Sequence, residues 1–260
     1  MAYNKTQLNP DKTFERHVYH RDQFAHYLRW THVLKYCFRN TGKKVLDWGC
    51  GSGSMAEVLY RNRAKMNSYL GVDIRNRTID KANEKYAKVD WVEFKTADLC
   101  GDVDFGNDWD IITSFEVIEH IGKQNADVFC ENIIRHCKDD TVVFLSTPNY
   151  DARVGAAGNH TYDSGDGRGV AVQEFGHHEL REVLERHFVV RQKYGTFASI
   201  RDYKDKLNDW QQHMFKDLSK YYDTNLLSVI MAPLFPEEAR NCLWILEKKP
   251  AAVSSPRLEV

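Results

Sequence analysis

The sequence predicts an α/β fold, a mostly parallel sheet with helices on both faces. Three observations carry this. From Lys44 onward, short apolar runs alternate with amphipathic helical stretches. The first apolar run ends in a glycine-rich turn, Gly49-Cys50-Gly51-Ser52-Gly53. Acidic residues, Asp47, Asp73 and Asp98, stand at the carboxyl ends of the first three predicted strands, where ligands bind in such sheets.

Residues 1–43 read as a helical N-terminal extension. Phe24, Tyr27, Leu28, Thr31, Leu34 and Phe38 recur at helical spacing, so this face is expected to pack on a core. Through Lys44 the segment carries nine Lys/Arg and four His against Asp11, Glu15 and Asp22. It reads either as a solvated basic face or as a site for an anion. Residues 44–249 read as one domain. Its first strand, 44–48, is followed by a helix at 54–64, a strand at 69–74 and a helix at 78–87. Third and fourth strands are expected at 91–99 and 109–117. Ala126, Phe129, Cys130, Ile133, Ile134 and Cys137 then mark an amphipathic helix. A fifth strand, 141–147, is stopped by Pro148.

Beyond Pro148 the texture changes. Residues 151–176 hold six glycines among many polar residues and predict a long mobile loop. A helix around Leu180–His187 and a strand at 188–197 follow. Leu207, Trp210, Met214, Leu218 and Tyr221 place one helix over 201–222. The last strand is 242–248, and 250–260 reads as a flexible tail. Segments 151–176 and 201–238 are expected to cover a substrate.

Composition narrows the classes without choosing a chemistry. The 260 residues hold 36 Lys+Arg and 37 Asp+Glu, a net charge of −1, so bulk charge makes no case for coating nucleic acid or membranes. No apolar run approaches the roughly 18 residues of a membrane span, and the first residues lack the apolar stretch of a secretory signal. The six cysteines form no C-x-x-C pair, which disfavours zinc ribbons and thioredoxin-like motifs. Reduced thiols in a cytoplasmic compartment are the expectation.

The glycine-rich turn is the strongest chemical signal. Glycine allows a sharp strand-to-helix turn and close approach of a ligand. Its spacing is G-x-G-x-G, unlike the G-x-G-x-x-G of dinucleotide sites, and no G-K-[ST] ending follows. Asp73, in Gly71-Val72-Asp73-Ile74, is placed to accept hydrogen bonds from both ribose hydroxyls of a nucleoside. Asp98-Leu99 is suited to an adenine amino group and ring. Each Asp alone also reads as a cap or turn residue; their conjunction points to a nucleoside.

In this order and spacing, DWGCGSG, GVDI, ADL, WDIITSFEVIEHI and VVFLSTPN resemble class I S-adenosylmethionine-dependent methyltransferases over roughly residues 40–150. The resemblance implies a Rossmann-like, seven-stranded, mostly parallel sheet with an antiparallel last strand. The 188–197 and 242–248 runs would be its antiparallel sixth and seventh strands, with a helical N-terminal extension and a helical and loop cover. It implies S-adenosyl-L-methionine as cofactor. Asp47, Gly49, Cys50, Gly51 and Gly53 would line the methionine moiety, Asp73 and Ile74 the ribose, and Asp98 with Leu99 the adenine. Phe115 and Glu116 would sit by the sulfonium. Trp48 departs from the small or aliphatic residue common there.

The fourth strand runs into Glu116-Val117-Ile118-Glu119-His120. As a helical turn this places Glu116, Glu119 and His120 on one face, a set suited to Mg²⁺, Mn²⁺ or Fe²⁺. The pattern is similar to that of ubiquinone-pathway O-methyltransferases and small-RNA terminal 2′-O-methyltransferases, which implies metal-assisted O-methylation. It also reads as a common post-strand turn with His120 as scaffolding. His120 and His160 are the candidate catalytic bases; His178 reads as a surface residue near a helix start. A small-molecule or sugar hydroxyl is the favoured acceptor, with RNA or DNA open and no membrane partner expected. A dinucleotide oxidoreductase and a non-catalytic cofactor-binding protein are the rival readings. No Asn/Asp-Pro-Pro-Tyr signature of base amino methylation is present, since Thr147-Pro148-Asn149-Tyr150 follows the fifth strand in the wrong order.

Overall fold

The computed structural model describes residues 21–39, 41–149, 159–163 and 169–250. A seven-stranded sheet runs through it in the order β3-β2-β1-β4-β5-β9-β8. Strands β1 (Lys43–Trp48), β2 (Met66–Asp73), β3 (Val92–Thr96), β4 (Trp109–Phe115) and β5 (Cys137–Pro148) pair in parallel. Strand β9 (Asn241–Lys248) pairs antiparallel with both β5 and β8 (Phe188–Phe197). It therefore runs against the other six, while β8 points the same way as β5. The expected antiparallel last strand is present, but the expected reversal of the sixth is of pairing only.

Side chains alternate across the sheet at a period of two. Val45, Ile111, Phe144 and Leu243 face one side, where they join Leu59 of α2 (Ser54–Arg61), Ile79 of α3 (Asn76–Tyr86) and Val33 of α1 (Arg21–Arg39). Leu46, Ile112, Leu145 and Trp244 face the other, against Phe129 of α4 (Ala126–Arg135) and Leu184 of α5 (His177–His187). All of these side chains are buried, each contributing about 1.5–3 kcal/mol. From β1 the chain passes to β2 and β3 on one side, then returns to β4 on the other. The crevice at the carboxyl ends of β1 and β4 is thus the point where the strand order reverses, the ligand position of open α/β sheets.

Three expectations are corrected. Helix α1 forms, but it buries Ala25, Arg29, Val33 and Cys37, while Tyr27 and Phe38 are 60% and 55% exposed. A four-residue spacing of small and polar groups lets the backbone lie close to the sheet, which hydropathy does not register. Within 151–176, strands β6 (Asn159–Asp163) and β7 (Gly169–Gln173) form an antiparallel pair, so the segment is not all loop. The single helix expected over 201–222 is broken into α6 (Ile200–Tyr203), a 3-10 turn and α7 (Asp209–Leu218). Asn208 restarts the helix by accepting from the Gln211 amide at 2.9 Å, and Gln211 answers on the Asn208 amide. Helix α8 (Thr224–Met231) then packs on α1.

The 198–240 connection leaves β8 and re-enters β9 at the carboxyl edge, since Pro148 pairs with Asn241 there. Residues 1–20, 40, 150–158, 164–168 and the expected tail from 251 lie outside the described residues. No described helix is long and apolar enough to cross a membrane.

Candidate active site

Strand β1 ends in the glycine turn because the next residues can take left-handed backbone: φ is +91° at Gly49, +53° at Gly51 and +79° at Gly53. A Cβ on Gly49 would lie 2.3 Å from Val117 Cγ2, and one on Gly53 2.7 Å from the Phe94 ring. A Cβ on Gly51 would meet only Arg75 Nη2, at an ordinary 3.7 Å. Gly49 and Gly53 therefore serve close packing, and at Gly51 it is the left-handed backbone that asks for glycine.

A cavity of about 560 Å³ opens at the carboxyl edge. Six of the expected cofactor residues line it: Gly49, Asp73, Ile74, Asp98, Leu99 and Glu116. His120 joins them, as do Arg75, Cys100, Val117, Ile121 and Asn125, which sequence reasoning did not single out. Arg75 carried a signal in directly following the GVDI run; Asn125 and Cys100 carried none. Asp47, Cys50, Gly51, Gly53 and Phe115 are not part of the lining. Cys50 is a packed core thiol, and burial pushes its pKa up.

Asp47 supports the turn from beneath. Tyr69 of β2 donates to its Oδ2 at 2.5 Å and Thr113 of β4 to its Oδ1 at 2.8 Å. Burial raises its pKa to about 6, against the pull of those two donors. Asp73, 6% exposed, accepts from the Gly51 amide at 2.9 Å and from the Arg75 amide at 3.0 Å. The Arg75 guanidinium adds a contact to Oδ1 at 3.1 Å. Asp98 accepts from the Cys100 amide at 2.9 Å. Below it, buried Asn132 donates to the Leu99 and Gly101 carbonyls at 2.8 and 2.9 Å, fixing the turn that presents Leu99.

The Glu116–His120 segment departs from the expected helical turn. Glu116 has a φ of +59°, a left-handed conformation that costs a non-glycine residue roughly 1–2 kcal/mol. Only Ile118–His120 form a 3-10 turn, so the three expected ligands share no helix face. Glu116 accepts from Ser146 Oγ at 2.9 Å and Asn241 Nδ2 at 2.8 Å, and lies 3.2 Å from Arg29 Nη2. Buried Glu119 accepts from Thr147 Oγ1 at 2.8 Å, with His120 Nε2 3.8 Å from its other oxygen. Burial, then the neighbouring Glu116 charge, pushes the Glu119 pKa well up. Among the described residues no three His, Cys, Asp or Glu side chains are grouped as a metal ion requires. Both Glu116 oxygens and one Glu119 oxygen are already engaged by Arg29, Ser146, Asn241 and Thr147, so the described residues do not support the expected cation.

His160 lies in β6 opposite Val172; its side chain is outside the description. Strand β7 packs on the Ile118–His120 turn, and Gln173 Oε1 accepts from the Lys123 amide at 2.8 Å, so the hairpin borders the same edge. His178 is exposed and 3.5 Å from Glu182, a surface residue as expected. Arg29, Ser146 and Asn241 were missed altogether, because their pairing spans three distant stretches of chain.

Comparison with known proteins agrees with this geometry. A family model described as a methyltransferase domain matches residues 19–223. A ubiquinone biosynthesis O-methyltransferase of Neisseria meningitidis is 31% identical over 114 residues, 42% of this chain and 45% of that protein. A small RNA 2′-O-methyltransferase of Arabidopsis thaliana is 28% identical over 130 residues, 46% of this chain and 14% of that one. The chain thus spans less than half the length of these relatives. Among solved structures, an S-adenosylmethionine-dependent methyltransferase from Clostridium acetobutylicum superposes with a TM-score of 0.58 at 11% identity, covering 92% of this chain and 96% of that one. The 1,6-didemethyltoxoflavin-N1-methyltransferase of Burkholderia thailandensis, with S-adenosylhomocysteine bound, gives 0.56 at 14%, covering 87% and 79%. Strand order, the glycine turn beneath an acid-lined cavity and a match over most of the sequence converge: the chain belongs to the methyltransferase-domain family, the class I S-adenosylmethionine-dependent methyltransferases.

Proposed function

We propose that the chain transfers the methyl group of S-adenosyl-L-methionine to a hydroxyl of a small molecule or sugar. The observation that carries the cofactor is the cavity at the carboxyl edge in which Gly49, Asp73, Asp98 and Leu99 share one wall. Asp73 would take the ribose hydroxyls as the exposed Arg75 fork turns aside, and Leu99 would cover the adenine with Asp98 at its amino group. Bound there, the cofactor supplies an electrophilic methyl carbon on a cationic sulfur.

His120, half-buried on the cavity wall, would receive the acceptor's hydroxyl proton. With the cofactor bound, the acceptor oxygen would take the methyl carbon as the carbon–sulfur bond breaks, the electron pair leaving with a neutral thioether. Orientation supplies most of the acceleration in such a reaction. His160, on the bordering hairpin, is assigned as a second candidate base. Segments 151–176 and 201–238 are assigned as the acceptor's cover. Ubiquinone-pathway and small-RNA relatives share a hydroxyl acceptor by name, which supports oxygen over nitrogen and keeps an RNA 2′-hydroxyl as the second reading. The six free cysteines, five of them buried, support the cytoplasmic compartment expected.

Calorimetry with S-adenosylhomocysteine tests the cofactor. Binding should be tight, and Asp73→Ala should weaken it by about 1–3 kcal/mol, the cost of lost charged hydrogen bonds. Tight NAD binding with none of S-adenosylhomocysteine would overturn the reading. Labelled methyl transfer to a panel of phenols, sugars, RNA and DNA then separates the acceptors.

A further inference from the structure

The N-terminal helix delivers a cation to the reaction edge. Arg29 is 2% exposed, although burying a guanidinium without a partner costs several kcal/mol. Its Nη2 donates to Asn241 Oδ1 at 2.9 Å and lies 3.2 Å from Glu116 Oε1. Asn241 cannot turn over in this arrangement: Thr196 Oγ1 also donates to its Oδ1 at 2.8 Å, so its amide nitrogen points to Glu116 Oε2. Ser146 of β5 completes the set on Oε1. Three elements, α1, β5 and β9, thereby converge on one carboxylate whose own backbone is left-handed, with β8 holding Asn241 in place. The Glu116 amide also donates to the Ser146 carbonyl at 2.9 Å, so β5 holds both its backbone and its side chain.

We propose that Arg29 is a positioning residue for methyl transfer: its guanidinium is the cation of the Glu116–Glu119 carboxylate pair and fixes Glu116 on the wall of the cofactor cavity. The inference rests on the cofactor reading above and deepens it. A metal ion is the other device that neutralises two neighbouring carboxylates, and Arg29 fills that place from outside the motif. Helix α1 is then part of the site. Both contacts are made by Nη2, while Nη1 lies 3.2 Å from His26 Nδ1 on the same helix.

The test is a double-mutant cycle in the full chain, read by calorimetry with S-adenosylmethionine and S-adenosylhomocysteine. Arg29→Met should weaken S-adenosylmethionine at least tenfold, and Arg29→Lys should recover part of the loss. Glu116→Gln should weaken it comparably, and the Arg29→Met/Glu116→Gln pair should lose no more than either single change, because one residue acts through the other. If Arg29→Met fails to fold by circular dichroism, the cycle of Arg29→Lys with Glu116→Gln reads the same coupling. Losses that multiply, or an Arg29→Met chain that binds as the wild type, would overturn the proposal. So would stoichiometric Mn²⁺ bound by the chelator-stripped wild type and released by Glu116→Gln, seen by electron paramagnetic resonance. A wild-type chain that binds neither cofactor form strikes the cofactor reading instead.

Discussion

Asp47 shows how far a single residue can be read before its neighbours are known. Its place after β1 is legible from the DWGCGSG run, and so is its carboxylate. What it touches is not, because Tyr69 and Thr113 reach it from strands 22 and 66 residues away. The same holds for Arg29, whose partner Asn241 is 212 residues distant. Asp73 and Asp98 were legible because each is oriented in part by an amide two residues on, and the Gly51 amide that also reaches Asp73 belongs to the equally legible glycine turn. Buried Asp47 also has a testable consequence. Burial lifts its folded pKa from the ordinary 3.8 to about 6, so between those values the folded chain binds more protons than the unfolded one. Its contribution to stability is full below pH 3.8 and fades as pH rises through about 6, on the order of 3 kcal/mol at most. Asp47→Asn removes that dependence. The melting temperature of Asp47→Asn minus that of the wild type should therefore climb between pH 4 and 6 and level off above. A difference that stays flat would show that Tyr69 and Thr113 hold the carboxylate ionised throughout.

At the scale of elements, periodicity found the helices and strands but misjudged faces where burial is not hydrophobic. Helix α1 turns Tyr27 and Phe38 outward because Ala25, Arg29, Val33 and Cys37 take the face against β8 and the site. The β6–β7 pair escaped notice since its glycines and polar residues resemble a loop, and pairing alone defines it. Helix α7 is the opposite case: its apolar residues recur at helical spacing, yet Trp210 is 68% exposed and the helix buries no residue fully. With little packing beneath it, α7 depends on its ends. The Asn208–Gln211 box is the start signal, and a cap of this kind contributes about 1 kcal/mol. Asn208→Ala should speed amide hydrogen exchange across 209–218 roughly fivefold, and leave α4 and α5 unchanged. Equal acceleration in all three helices would mean that α7 is tied to the global core after all.

For the whole molecule, strand order was legible because βαβ alternation with a glycine turn after the first strand admits few topologies. The cavity follows from that order: it lies where the chain reverses between β1 and β4, and its acidic wall comes from strand ends. The charge of the site follows from tertiary structure instead, since α1 and β9 bring in the groups that surround Glu116. This bears on how ligand binding couples to folding. A ligand that binds the folded chain alone stabilises it by about 2.7 kcal/mol at a hundredfold excess over its Kd, roughly 5–10 °C in melting temperature for a chain of this size. S-adenosylhomocysteine should produce such a shift, because its cavity is lined by Asp73 of β2 and by the turns that follow β1, β2, β3 and β4. Since the Glu116 oxygens are satisfied by Ser146, Asn241 and Arg29, the shift should be the same after exhaustive chelation as in added Mg²⁺. Scanning calorimetry on the chelated and Mg²⁺-loaded chain, each with and without S-adenosylhomocysteine, measures it directly. A shift lost on chelation and restored by Mg²⁺ would place a cation where the geometry puts a guanidinium.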